Sequence, residues 1–328
     1  MNEHGEGAPA YLTFRVTARP GPVAALAEEE AWRARERYPE ILGMGPPVFH
    51  HTRELDHGGW EILGLGGPTP QCARDALGSH FRLTASGSEG KRKARALAAA
   101  EKLDRVALDE LRVLGRRHRV VRVEQFIRMG PDGPEPPRPS DPDPARGWPG
   151  EAYKVPARTK GFVIDPYTDT GLSDGLLRHD LSKFVIARGT APEEVYLDAR
   201  AALETHPGAV LLPAEFAVAE WDEGHWRPHT TSCSSPQDAR DTLALHFRVF
   251  LPATERLTGE ERRAYAEAAD RLDAERGTGI AVLGHRFRVI RVEQSVRVGP
   301  DGPEPPRPSD DDPDPPPAVR AARETPPG

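Results

Sequence analysis

GPDGPEPPRPSD occupies Gly130 to Asp141, and the same twelve residues return at Gly299 to Asp310. Just upstream, GRRHRVVRVEQFIRM (Gly115 to Met129) matches GHRFRVIRVEQSVRV (Gly284 to Val298) at a constant offset of 169, which makes 21 of 27 positions identical. In each copy the run of Arg, Val or Ile, Glu-Gln and Arg has the β-branched content and length of a buried strand, and Gly-Pro ends it. Pro-Asp-Gly is turn chemistry, because Pro presets φ at the first central position and Gly tolerates a positive φ after it. Pro-Glu-Pro-Pro-Arg-Pro can neither donate a ladder of amides nor enter a helix, so it reads as a polyproline II tail. Each half of the chain is thus expected to end in a strand, a turn and a stiff extended tail.

Upstream in the first half, Tyr11 to Ala18 alternates Leu12, Phe14 and Val16 and reads as a strand. Val23 to Tyr38 has helical spacing and is stopped by Pro39. Pro47 to Leu55, a turn at Asp56 to Gly59, and Trp60 to Leu65 read as a hairpin. Thr69-Pro70 begins a helix with a hydroxyl cap and Pro at the first helical position, and Glu89 to Arg105 forms another. The second half repeats the order. Phe184 to Ala187 is its strand, Glu193 to Thr205 its helix, Phe216 to Trp221 and Trp226 its hairpin, and Ser235-Pro236 its capped helix. Thr258 with Glu261 forms a capping box for a helix to about Arg276. Gly161 to Ser182 has no counterpart in the first half.

Two right-handed crossovers around a hairpin give an α+β fold of two tandem repeats. Each is expected to be a split βαβ (ferredoxin-like) antiparallel sheet with helices on one face, ending in the Pro-rich tail. The repeats span 11–145 and 161–314, with a linker over 146–160 and a disordered tail over 315–328.

Composition narrows the function. The chain has 328 residues and a net charge of -7, with the acidic excess confined to the second half, which argues against a polyanion as the main partner. Cys72 and Cys233 fall at non-equivalent positions, so neither a disulfide framework nor a zinc site is expected, and no metal or cofactor is assigned. No apolar run reaches a membrane span, and a cytoplasmic protein is the expectation.

The candidate site residues are Arg122, Glu124, Arg291, Glu293, His80 and His246. Arg122 with Glu124, and Arg291 with Glu293, lie two apart on a strand and share a face, as a carboxylate- or phosphate-binding pair would; a polar patch on the sheet is the preferred reading. His80 and His246 follow Asp75 and Asp241 by five residues, a spacing that turns the side chains apart on a helix and favours a structural role over an acid-base pair. His50, His51 and His57 face Phe216, Ala217 and Glu223 in the second half, which leaves no shared metal set. Lys91 to Arg122 carries eleven basic and four acidic residues, but without interleaved aromatic residues, and the second half does not repeat the excess.

The RVxRVEQ strand followed by GPDGPEPPRPSD resembles an actinobacterial family of domains of unknown function, most specifically over Arg119 to Asp141 and Arg288 to Asp310. The resemblance implies a high-GC bacterial cytoplasm and brings no activity, cofactor or catalytic residue. The leading expectation is a non-enzymatic interaction or scaffold protein with a protein partner at the sheet faces or Pro-rich tails. The alternatives are a small-molecule-binding protein or enzyme with a site between the repeats, and nucleic-acid binding through Lys91 to Arg122.

Overall fold

The two matching segments form the central strands of one sheet. The computed structural model describes residues 8–18, 20–64, 66–143 and 158–324. In the first half the order is α1 (Pro22–Arg37), β1 (Glu40–Gly43), β2 (Val48–Glu54), β3 (Trp60–Ile62), α2 (Pro70–Ser86), α3 (Gly90–Arg105), β4 (Glu110–Val113), β5 (Arg116–Gly130) and β6 (Gly133–Pro134). Then come β7 (Val163–Ile164), α4 (Leu172–Ser182), α5 (Glu193–Thr205), β8 (Gly208–Asp222), β9 (His225–Pro228) and α6 (Pro236–Leu245). A π-helical turn (His246–Phe250), α7 (Leu251–Thr254), α8 (Gly259–Ala274), β10 (Gly279–Val282), β11 (His285–Gly299), β12 (Gly302–Pro303) and α9 (Pro317–Glu324) complete the described chain.

The architecture is mixed α and β around a curled antiparallel sheet in which β7, β3, β2, β5, β11, β8 and β9 are successive neighbours. β5 and β11 pair directly only at their middles, Glu124 to Phe126 against Ser295 to Glu293. On either side of this junction a tail segment fills the gap. Glu304 donates its N–H to the Arg297 carbonyl and accepts from the Arg122 N–H, while Glu135 does the same between Arg128 and Arg291. Beyond these points each tail runs over the other half: Arg122 meets Asp310, Arg291 meets Asp141, Arg74 of α2 meets Asp312, and Arg240 of α6 meets Asp143.

One sheet face carries the helices. Leu77, Phe81, Ala99 and Leu103 form the first-half core under α2 and α3, and Phe216, Val218, Ala239, Leu243, Phe247 and Ala268 form its equivalent under α6 and α8. The opposite face curls in on itself. There Val121, Val123, Val296, Val298, Trp60 and Ile62 make one cluster, and Ile290, Val292, Ala217 and Met44 make the other. Burying each such valine is worth about 1.5–3 kcal/mol, so these strands hold the halves together by apolar contact as well as by hydrogen bonds.

The cap signals act where the sequence places them. Thr69 and Ser235 each accept an amide N–H from the first turn of their helix, and Thr258 and Glu261 form the reciprocal capping box of α8. The expected first strands do not form. Residues 11–18 hold a short 3-10 turn at Ala10–Leu12 and a single bridge from Val16 to Thr170, while residues 184–187 are loop. The reason is visible at Phe14 and Phe184. Phe14 lies against the Arg178 guanidinium, 4.9 Å from its ring centroid, and against His179, and Phe184 packs on Phe126 beside Leu177 and Leu181, so each spends its apolar surface on local contacts rather than on a strand face. The segment 161–182, expected to have no counterpart, supplies β7 at the sheet edge and α4, whose Leu177 and Leu181 cover Phe126. The tail expected to be disordered forms α9 over Pro317–Glu324, held by Arg320 on Asp75 of α2. Residues 146–157 of the expected linker, with 144 and 145 before it, lie outside the described residues.

The ladders also revise one equivalence. Phe49 pairs with Arg122 as Phe216 pairs with Arg291, so His50 and His51 correspond to Ala217 and Val218, not to Phe216 and Ala217. No helix among the described residues is long and apolar enough to cross a membrane.

Candidate ligand cleft between the halves

The six candidate residues fall into separate environments. Arg122, Glu124, Arg291 and Glu293 lie on the helical face at the junction of the halves, where the tails neutralise them. Arg122 donates to Glu124 at 2.6 Å and to Asp310 at 3.0 Å, and Arg307 of the second tail reaches Glu124 at 3.0 Å. In the mirrored arrangement Arg291 pairs with Glu293 and with Asp141 at 3.2 Å, and Arg138 of the first tail approaches Glu293 at 3.5 Å. Burial opposes the Glu124 charge, but Arg122, Arg307 and Arg297 outweigh it and hold this carboxyl below the usual carboxylate range. A buried pair of this kind is costly to break, because removing one partner strands the other charge in a low dielectric.

His80 and His246 sit elsewhere, His80 within α2 and His246 at the start of the π-helical turn that follows α6. The His80 ring lies 6.3 Å from those of His51 and His118, and the His246 ring lies 4.7 Å from His229. Burial lowers the pKa of His80 and His246, and pushes His50, His51 and His118 down to about 4. Asp75 serves Gln71 and Arg320, and Asp241 accepts from Gln237. Among the described residues no group of three or more His, Cys, Asp or Glu side chains is placed to hold a metal ion.

Between the halves a cavity opens on the curled face. It is a cleft of about 880 Å³ lined by Arg37 from the end of α1, Leu42 of β1, the turn from Met129 to Gly133, Trp221 of β8, Trp226 of β9, and Arg286 and Arg288 of β11. Strand register builds it. Trp226 pairs with Trp221, which pairs with Arg286, so the three side chains form one cross-strand row, and Arg288 follows two residues on with its side chain on the same face. The Arg288 guanidinium lies 4.9 Å from the Trp226 ring centroid and donates to the carbonyls of Asp132 at 2.7 Å and Pro134 at 3.1 Å. Arg286 lies 5.7 Å from Trp221 and 5.9 Å from Trp226. The turn fits only glycine at position 133. Its φ is +103°, and a Cβ there would lie 2.3 Å from the Trp226 indole nitrogen.

An equivalent cleft exists at the other end of the sheet, built from Trp60, Arg117, Arg119 and the turn at Gly299 to Pro303, and its volume is about 270 Å³. Here Arg119 donates to the Asp301 and Pro303 carbonyls as Arg288 does to Asp132 and Pro134. The charges differ. Arg117 bonds Glu110 at 2.8 Å and Asp301 at 2.9 Å and has Glu54 at 3.8 Å, and Arg119 shares both Glu110 and Asp301. In the second half Gly279 stands opposite Arg288 where Glu110 stands opposite Arg119, and Trp221 takes the place of Glu54. Asp132, the equivalent of Asp301, turns its carboxylate to Arg37 at 3.0 Å. Arg286 makes no ion pair among the described residues, and Arg288 meets only carbonyls and the ring. Burial, followed among the cations by Arg286 and Arg37, lowers the Arg288 pKa, whereas hydrogen bonds to Glu110 and Asp301 raise that of Arg117.

Residues 9–11, 166 and 167 also line the smaller cleft, so the chain's own Tyr11 and Tyr167 lie beside Trp60. None of the residues of the larger cleft was singled out from the sequence as a site. The signal was present as a difference: the RxR at Arg286 and Arg288 repeats Arg117 and Arg119, while the acids around it are not repeated.

A family model described as a family of unknown function (DUF5954) matches residues 21–313, and the chain belongs to that family. No curated protein and no solved structure matches the chain.

Proposed function

We propose that this member of the family is a binding protein that recognises an anionic ligand in the cleft between its halves. The observation that carries the reading is the contrast at the two arginine pairs. Arg117 and Arg119 share Glu110 and Asp301, while among the described residues Arg286 and Arg288 make no ion pair and face an open cleft. Guanidinium groups held in place by indole rings and backbone carbonyls are preorganised for a carboxylate or phosphate, because their orientation is fixed before the ligand arrives.

The reading keeps the expected site between two tandem copies of one α+β unit and moves it to residues other than Arg122 and Arg291. Support for the unit is the order of hairpin, paired helices and long strand in both halves; its split βαβ (ferredoxin-like) form lacks the first strand in each. A protein partner on the Pro-rich tails would have to displace the Arg122–Asp310 and Arg291–Asp141 pairs, and this favours the ligand reading. The test is a titration of intrinsic tryptophan fluorescence with inorganic phosphate at low ionic strength. Saturable quenching that weakens with added salt and is lost in Arg286→Gln/Arg288→Gln is the expected result. A flat response in the unsubstituted protein would overturn the reading.

A further inference from the structure

Resting on that reading, we infer that the ligand is a planar aromatic molecule bearing a doubly negative group, an aromatic phosphate monoester or an aromatic dicarboxylate. The double charge is bound by Arg286 and Arg288, and the ring lies beside Trp221 and Leu42.

The smaller cleft supplies the template for the charge. Its two arginines are not satisfied one by one. Arg117 bonds both Glu110 and Asp301, and Arg119 bonds both as well, so two guanidinium groups take two negative charges in an interleaved set. Arg286 and Arg288 repeat the geometry on the equivalent strand, and the lining of the larger cleft adds Arg37 with a single acid, Asp132, already paired to it. A ligand with one negative charge would leave one guanidinium unmatched; a phosphate monoester or a dicarboxylate matches both.

The aromatic body follows from what replaces the third acid. Where Glu54 approaches Arg117, the second half has Trp221, whose indole is 37% exposed beside Leu42 at 43%. An exposed tryptophan and leucine in one open cleft are apolar surface that a ligand can cover. In the smaller cleft the corresponding space is taken by the chain's own Tyr11, Pro166 and Tyr167. The larger cleft exceeds the smaller by about 610 Å³, room for a ring together with its acid group.

The experiment is calorimetric titration of the full chain with methyl phosphate, phenyl phosphate, benzoate and phthalate. Phenyl phosphate should bind about tenfold more tightly than methyl phosphate, and phthalate more tightly than benzoate. The stronger of phenyl phosphate and phthalate identifies the acid group. Trp221→Ala should remove the gain from the phenyl ring, so that phenyl and methyl phosphate bind alike, whereas Gly279→Glu, which restores the acid of the smaller cleft, should weaken every anion. Equal binding of methyl and phenyl phosphate, or equal binding of benzoate and phthalate, would overturn this inference while leaving anion binding intact. Absence of binding by all four, or binding unaltered in Arg286→Gln, would overturn the anion reading itself.

Discussion

The two ends of the sheet share strands, turns, tryptophans and arginines, yet one is neutralised and partly filled by its own chain and the other is open and cationic. Two positions account for most of the difference: Glu110 against Gly279 and Glu54 against Trp221. Both ends keep the parts that fold. Gly133 and Gly302 each lie against a tryptophan indole, and Arg119 and Arg288 each bind the carbonyls of the facing turn. What changes is the charge around a constant frame, so the frame serves the fold and the changed charge is where a ligand function would be written.

The largest expected effect concerns a second asymmetry. His51 and His118 occupy positions where the second half has Val218 and Phe287, and His50 stands opposite Val121 where Ala217 stands opposite Ile290. Burial, the leading cause for all three, pushes their pKa from the usual 6.5 down to about 4. A depressed histidine pKa means that the unfolded chain binds protons first. Its contribution is complete above pH 6.5 and is lost as pH falls towards 4, by up to about 3 kcal/mol per histidine. Urea unfolding between pH 7.5 and 4.5 should show this loss, and His51→Val/His118→Phe should flatten it. An unchanged slope in that variant would break the link between these histidines and acid lability.

Next in size are the crossed tails. Arg122→Ala and Arg291→Ala each strand buried carboxylates and should cost about 3–5 kcal/mol in urea midpoint experiments. Equal losses would make the two clasps equivalent; a smaller loss at one would identify the weaker closure. Gly302→Ala and Gly133→Ala should each cost about 2 kcal/mol, since both combine a positive φ with a clash against an indole. Glu110→Gln should weaken the anionic lining of the smaller cleft at a stability cost of about 1 kcal/mol, because the carboxylate is 36% exposed. The same substitution should give that cleft measurable phosphate affinity in chains that also carry Arg286→Gln/Arg288→Gln. The smallest effect lies at the hairpin turns. Leu114 and Leu283 both adopt positive φ, at 54° and 51°. Leu283→Asn should stabilise by about 0.5 kcal/mol, while Leu114 packs on the first-half core and should give nothing.

Much of the helix and hairpin layout was legible, because capping residues act locally: Thr69, Ser235 and Thr258 announce helices whatever packs on them. The sheet was less so. β8 begins at Gly208 and runs through Pro213, which a sequence reading takes as a strand breaker; the ladder tolerates it because the register shifts between Val292 and Gln294 and leaves a bulge there. Residues 11–18 alternate like a strand, yet Leu12 and Val16 are about half exposed and Phe14 serves Arg178. The arginine-glutamate pairs were found from their spacing, but their partners come from tail residues 150 to 188 positions away. The cleft was hidden for a different reason. It is marked by acids missing beside arginines, and which acid faces which arginine is a matter of hairpin register.

The crossing of the tails also bears on how the chain is made. Arg122 meets Asp310 188 residues later, so at about 5–20 residues per second the ribosome leaves this arginine without its partner for roughly 10–40 s. During that interval the first half exposes the β5 edge that β11 and Glu304 will pair with, and a nascent chain in that state is open to pairing with a neighbour on the same message.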